Sequence, residues 1–262
     1  MEQIVCLGGM PRSGSTVLSS ILNQNPIIYG EGNSSICQFI VDMHLSSIKA
    51  AEQLCATNRK HTCKDIIGQI PKIYYKDIEP SKKIIIDKCR MWPLYIQYAI
   101  EYISPNIKMI VLDRPVTDIC KSFMKLYTKN NWTDETILSV LNEILEPKCP
   151  PITLPIEAVN VAKRYNSTRL DTMPNAFLII KYDDFINNPK NTIERIYDFC
   201  GWEPYQHDFE NILNPHPEND TFYKLKGFHD VRPVLKKEEN NIGLPPEIFK
   251  KCQELDKLLG HI

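Results

Sequence analysis

Nine consecutive residues, Gly8-Gly9-Met10-Pro11-Arg12-Ser13-Gly14-Ser15-Thr16, bring three glycines, one guanidinium and three hydroxyls into a single turn. Such a set is suited to donating hydrogen bonds to a tetrahedral anion. The apolar run Ile4-Val5-Cys6-Leu7 precedes it, and Val17, Leu18, Ile21 and Leu22 follow at helical spacing. Strand, glycine turn and helix N-terminus together expose backbone N–H groups to an anion. The spacing comes close to the G-x-x-x-x-G-K-[ST] phosphate loop, with Gly9, Gly14 and Thr16 in place. Ser15 stands where the lysine belongs, so the cation comes from Arg12 inside the loop. A nucleoside triphosphate with Mg²⁺ relies on that lysine, and its absence points away from ATP chemistry.

Other cations stand at the ends of apolar runs. Lys83 to Ile86 lead to Asp87, Lys88 and Arg90; Lys108 to Leu112 lead to Arg114; Ala176 to Ile180 lead to Lys181 and Tyr182. Arg114 is followed by seven residues and then Ser122, two helical turns along if Pro115 opens a helix. A guanidinium fork binds phosphate oxygens bidentately, and a serine adds a donor. The chain has 31 Lys and Arg against 32 Asp and Glu, net −1, so cations at four strand ends imply a local basic pocket for a ligand with two anionic ends.

Pro11-Arg12-Ser13-Gly14-Ser15-Thr16 with the following helix and Asn25-Pro26 resembles the 5′-phosphosulfate loop of sulfotransferases that use 3′-phosphoadenosine 5′-phosphosulfate (PAPS). The likeness is nearest to the tyrosylprotein sulfotransferase branch and its soluble bacterial and viral relatives. It runs from the first strand to about residue 202, with a looser match near 224–232. The resemblance implies that Arg12, Ser13, Gly14, Ser15 and Thr16 bind the 5′-phosphosulfate, and that Arg114 and Ser122 grip the 3′-phosphate. It further implies that Lys88 bonds the transferring sulfonate, that Tyr182 lies near the adenine, and that Lys226 and Arg232 close over the 3′-phosphate. PAPS would be the cosubstrate and 3′-phosphoadenosine 5′-phosphate (PAP) the product, with no metal. The position of the histidine base in the steroid and phenol branch holds Arg90 here. Glu31, in Gly30-Glu31-Gly32, resembles the Gly-Glu-Glu segment of tyrosylprotein enzymes, although Gly32 stands where a second Glu is expected; Asp87 and His44 are further candidates for the base. Two other classes remain: a P-loop kinase or nucleotide hydrolase, and a nucleotide-binding module without catalysis.

These residues need an α/β fold to converge: a doubly wound parallel sheet, P-loop-like, with helices on both faces and ligands at the carboxyl ends of the strands. Four strands are expected, near 4–7, 83–86, 108–112 and 176–181. Residues 27–35 read as a turn-rich connection. Helices are expected over 35–56, with Ile36, Phe39, Ile40, Met43 and Ile48 near one face, and over 62–76, interrupted by Pro71. Further helices are expected over 93–103, 115–127, 133–146, 156–171, 189–200 and 245–259. Residues 147–155 read as a loop, and 203–245 as an irregular stretch wrapped over a site. The whole chain, 1–262, reads as one domain, with inserts at about 35–76 and 128–172 facing the acceptor.

Composition narrows the partners. Hydrophobic residues make up 43% and charged residues 24%, the balance of an ordinary globular chain. A net charge of −1 gives no general attraction to nucleic acid or an anionic membrane. The longest apolar runs fall well short of the roughly 18–20 residues of a membrane helix. Nine cysteines without C-x-x-C pairs suit reduced thiols in the cytoplasm. A signal peptide is not expected. The expected partners are the nucleotide and a hydroxyl or amine acceptor, whether a small molecule, a sugar, a lipid or a protein tyrosine.

Overall fold

The computed structural model describes residues 1–145, 158–163, 176–237 and 241–262. Its centre is a five-stranded parallel sheet in the order β2-β3-β1-β4-β5. The strands are β1 (Gln3–Gly9), β2 (Ile28–Gly30), β3 (Ile84–Lys88), β4 (Lys108–Asp113) and β5 (Phe177–Lys181). Strand β1 pairs with β3 on one side and β4 on the other. Its end therefore opens at the middle of the sheet.

Alternation along each strand separates two cores. Val5, Leu7, Ile84, Ile86, Ile110 and Leu112 face one layer. That layer is closed by α1 (Ser15–Leu22), α9 (Tyr182–Asn187) and α10 (Pro189–Cys200). Ile4, Cys6, Ile85, Met109, Val111 and Phe177 face the other. Against these pack α2 (Ile36–Lys49), α4 (Lys60–Tyr74), α5 (Ile96–Tyr102), α6 (Val116–Lys129), α7 (Asp134–Leu145) and α11 (Pro246–Leu258). Each fully buried Ile or Leu contributes roughly 1.5–3 kcal/mol, so a sheet apolar on both faces is held between helices and not at a surface. This is the doubly wound arrangement expected from the alternation of strands and helices.

Several local expectations need correction. Residues 28–30 form an edge strand on β3, where a turn-rich connection was expected; three residues are too few for a periodic signal. The helix expected over 35–56 breaks at Ala50 into α2 and a short α3 (Ala51–Ala56). Phe39, Met43 and Ile48 are exposed, because the inward face of α2 is carried by Ile36, Cys37, Ile40 and Val41. Helix α4 runs through Pro71 to Tyr74, with Pro71 buried close to its C-terminal end. There the lost N–H removes a single bond of the last turn. Residues 158–163 are helical (α8); the rest of the helix expected over 156–171, and the loop expected over 147–155, lie outside the described residues.

Residues 203–237 form a strap across the sheet's carboxyl end, with a 3₁₀ turn at Asp220–Tyr223. Buried Ile212, Leu225 and Phe228 anchor it. Its two arms meet through Ile212 N–H to Pro233 O (2.7 Å) and Leu235 N–H to Phe209 O (3.0 Å).

The start of α6 is capped from a distance. The buried Asp256 carboxylate of α11 accepts from the Val116 amide, from the Thr117 amide at 3.2 Å and from the Thr117 hydroxyl at 2.6 Å. These amides have no partner within their own helix. Asp256→Ala is expected to lower stability by about 1–3 kcal/mol in urea unfolding, the cost of leaving buried donors unmet.

Candidate active site

A cavity of about 630 Å³ opens where β1, β3 and β4 end. The glycine turn forms its base, and the backbone explains the residue types. Gly9 has φ +134°, and a Cβ there would stand 2.6 Å from the Leu112 carbonyl oxygen of the neighbouring strand. Gly14 has φ +94° and precedes α1. Arg12 also takes a left-handed conformation, φ 61°, a strain of the kind that functional loops carry. Gly14, Ser15, Thr16 and Val17 all line the cavity. The first amides of a helix lack intrahelical carbonyls, so this end of α1 offers several donors at once.

Two guanidinium groups meet above the turn. Arg12 donates from Nε to Ser122 Oγ at 3.2 Å and from Nη1 to the Phe228 carbonyl, with its charge over the Phe228 ring. Arg114 donates from Nη1 to the Arg12 carbonyl at 2.6 Å and lies over the Tyr182 ring, 4.0 Å from its centroid. Arg114 Nε is enclosed without a hydrogen-bond partner. Burial, and after it the charge of Arg114, pull the pKa of Arg12 below its ordinary value, with Arg232 adding to the effect. Crowded like charges of this kind favour an anionic ligand.

The third cation is Lys88. It is only 5% exposed and donates to Thr16 Oγ1 at 3.0 Å. Burial lowers its pKa, and the nearby carboxylate of Glu218 opposes this. Glu218 Oε1 lies 3.3 Å from Lys88 Nζ and 3.6 Å from His229 Nε2, while His229 Nδ1 lies 2.7 Å from Asp220 Oδ1. Lys88, Glu218, His229 and Asp220 therefore form a connected row from the loop into the strap.

Most of the residues singled out from sequence line this one cavity: Arg12, Gly14, Ser15, Thr16, Lys88, Arg114, Ser122, Tyr182 and Arg232. Others do not. Ser13 is fully buried, its hydroxyl without a partner, because the turn folds it toward Gly9 instead of the cavity. Lys226 is exposed and outside the lining, with its backbone held by Asn130. Lys181 is exposed as well. Glu31 lies in a neighbouring depression and accepts from the Tyr29 hydroxyl at 2.9 Å. Asp87 is fully buried within β3, accepting from Tyr75 Oη (2.7 Å) and Trp92 Nε1 (2.6 Å). His44 bonds Tyr102 Oη at 2.6 Å on α2, away from the cavity. Neither reserve is placed to serve as a base.

Residues that sequence reasoning passed over also take part. Lys125 and Lys129 line the cavity, three and seven positions beyond Ser122 on the same face of α6, a spacing that could have revealed them. Glu218 has no such local signal, and His229, in the 224–232 stretch, reads from sequence as structural.

The turn, helix N-terminus and strand-end cations define a P-loop-like α/β protein whose glycine loop carries an arginine and hydroxyls but no lysine. The model of the sulfotransferase family matches residues 5–207, most of the chain, and the protein belongs to that family. The structure is similar to the sulfotransferase domain of the olefin synthase from Synechococcus PCC 7002, at 17% identity and TM-score 0.56, over 99% of this chain and 95% of that one. It is also similar to a sulfotransferase from Alicyclobacillus acidocaldarius, at 13% identity and TM-score 0.54, over 99% and 96%. A third likeness is to the sulfotransferase domain of the curacin biosynthetic pathway, at 15% and TM-score 0.52, over 99% and 98%. At such identities the likeness is one of fold. No curated protein sequence matches the chain. No helix among the described residues is long and apolar enough to cross a membrane.

The strap carries a pH dependence. His207, His216 and His229 all have pKa values lowered from the ordinary 6.5, in each case chiefly by burial. Their neighbours are Tyr197 for His207; Glu31 and Lys82 for His216; and Asp220, Glu218 and Lys88 for His229. A base whose folded pKa lies below its unfolded one contributes stability above the unfolded value, lost as pH falls toward the folded value. Asp87, raised by burial, acts in the opposite sense but belongs to β3 and not to the strap. Hydrogen exchange is expected to show amides of residues 207–229 losing protection below about pH 6.5 before those of the sheet do.

Proposed function

We propose that the chain transfers a sulfuryl group from PAPS to a hydroxyl or amine acceptor by in-line displacement. The observation that carries this reading is Lys88, buried and bonded to Thr16 at the mouth of a lysine-free loop, while Arg12 of that loop is bonded to Ser122 and, through its carbonyl, to Arg114, so that cations line the same cavity at more than one point. A ligand anionic at two separated points fits this arrangement. The loop amides, with Ser15 and Thr16, would hold the 5′-phosphosulfate. Arg114 and Ser122, with Arg232 at the rim, would hold the 3′-phosphate, and Tyr182 would support the adenine.

In the reaction an acceptor oxygen or nitrogen attacks sulfur, and the bond from sulfur to the bridging oxygen breaks. The electron pair goes to the 5′-phosphate of PAP. Lys88 and Arg12 stabilise that growing charge, where preorganised donors count most. Positioning supplies much of the remainder, and no step requires a metal. We place the enzyme in the cytoplasm, a reading supported by the free thiols of all the described cysteines. The helical inserts at about 35–76 and 128–172 would select the acceptor.

Thermal unfolding with PAP, ADP or ATP-Mg²⁺ tests the donor. A ligand at a hundred times its dissociation constant adds about 2.7 kcal/mol of stability. The expected result is an upward shift with PAP alone, lost in Arg114→Ala. Equal shifts with ADP, or a larger one with ATP-Mg²⁺, would replace sulfotransfer with a kinase or hydrolase reading.

A further inference from the structure

We propose that Glu218, and not Glu31, takes the acceptor's proton, and that the acceptor reaches it across a second depression on the far side of its carboxylate. This rests on the sulfotransfer reading above. Glu218 belongs to the strap, beyond the segment that the family model matches.

Four observations support the assignment. First, Glu218 lines the second depression and reaches Lys88, which lines the main cavity. Its Oε1 faces Lys88 in the main cavity at 3.3 Å, and its Oε2 accepts from Asn33 Nδ2 at 3.2 Å and lies 3.5 Å from Tyr223 Oη. Asn33 lines both spaces. Second, its position depends on a missing side chain. A Cβ on Gly32 would lie 2.3 Å from Glu218 Cγ and 2.4 Å from Cδ, so only glycine leaves this carboxylate its place. Third, the depression is about 460 Å³, and the rings of Tyr74, His216, Phe222 and Tyr223 line it without any lysine or arginine. Phe222 is 85% exposed, an aromatic edge at the entrance. Fourth, Glu31 accepts from the Tyr29 hydroxyl, whereas Glu218 touches Lys88, the cation assigned to the sulfonate.

The step balances as follows. The acceptor oxygen forms its bond to sulfur while the S–O bond to the 5′-phosphate breaks, and that pair stays on PAP. The acceptor's proton passes to a Glu218 carboxylate oxygen. When the sulfonate occupies the hydrogen bonds of Lys88, Oε1 is released toward the incoming hydroxyl. His229, held through Nδ1 by Asp220, is a positioning residue behind Glu218.

The test measures PAP released from PAPS at about pH 8 with two probes matched to the aromatic depression: phenol, still protonated there, and 4-nitrophenol, largely ionised. Glu218→Gln is expected to lose roughly 10²–10⁴-fold on phenol, the usual contribution of a positioned base. It should fall only a few-fold on 4-nitrophenol and keep the thermal shift with PAP. Gly32→Ala, which expels Glu218 without altering it, should reproduce the selective loss and guards against a folding defect in the first variant. Equal losses on both probes, no loss on either, or the selective loss appearing in Glu31→Gln instead would overturn the assignment. Wild type that binds PAP yet sulfates neither phenol would overturn the acceptor route. Wild type without a PAP shift would bring down the sulfotransfer reading itself, and this proposal with it.

Discussion

Positive charge gathered in a partly buried place is the constraint on which the rest of the structure turns. Arg12 and Arg114 are held by carbonyl oxygens, a hydroxyl and ring faces. Such partners orient a guanidinium without neutralising it, so the like charges continue to act on one another, and burial strengthens the effect. The cavity is thereby prepared for an anion. The surrounding architecture keeps the cations in place when none is bound.

Two features of the scaffold do that. The parallel sheet, apolar on both faces, fixes the strand ends within hydrogen-bond register, so β1, β3 and β4 deliver their terminal residues to one level. The strap closes the open side with little regular structure of its own. It is tied down by buried Phe228, whose carbonyl receives Arg12, and by the His229–Asp220 contact. Cavity and strap are therefore coupled: the loop's own guanidinium also fastens the strap above it.

At Lys88 the arrangement differs, because a carboxylate is present. Glu218 is 13% exposed, sheltered enough for the pair to be strong yet open toward the ring-lined depression. One cation is thus paired with a carboxylate, while the other two are left to carbonyls, a hydroxyl and rings, so the cavity is electrostatically uneven.

Much of this was legible in the chain alone. The loop could be read because strand, glycine turn and helix are contiguous, and because Gly9 and Gly14 mark backbone angles that other residues resist. Lys88 and Arg114 could be read because a parallel sheet sends the carboxyl ends of its strands to a common edge, which makes position within an apolar run informative. Side-chain direction was not legible: Ser13 turns inward, while Lys226 stays in solvent, although each is close in sequence to residues that line the cavity. Glu218 was beyond reach for a different reason. It lies 130 residues from Lys88, in a strap without periodicity, and its place depends on the volume left empty at Gly32. Local spacing can indicate which strand ends converge; only the folded chain decides which distant side chain fills the gap beside them.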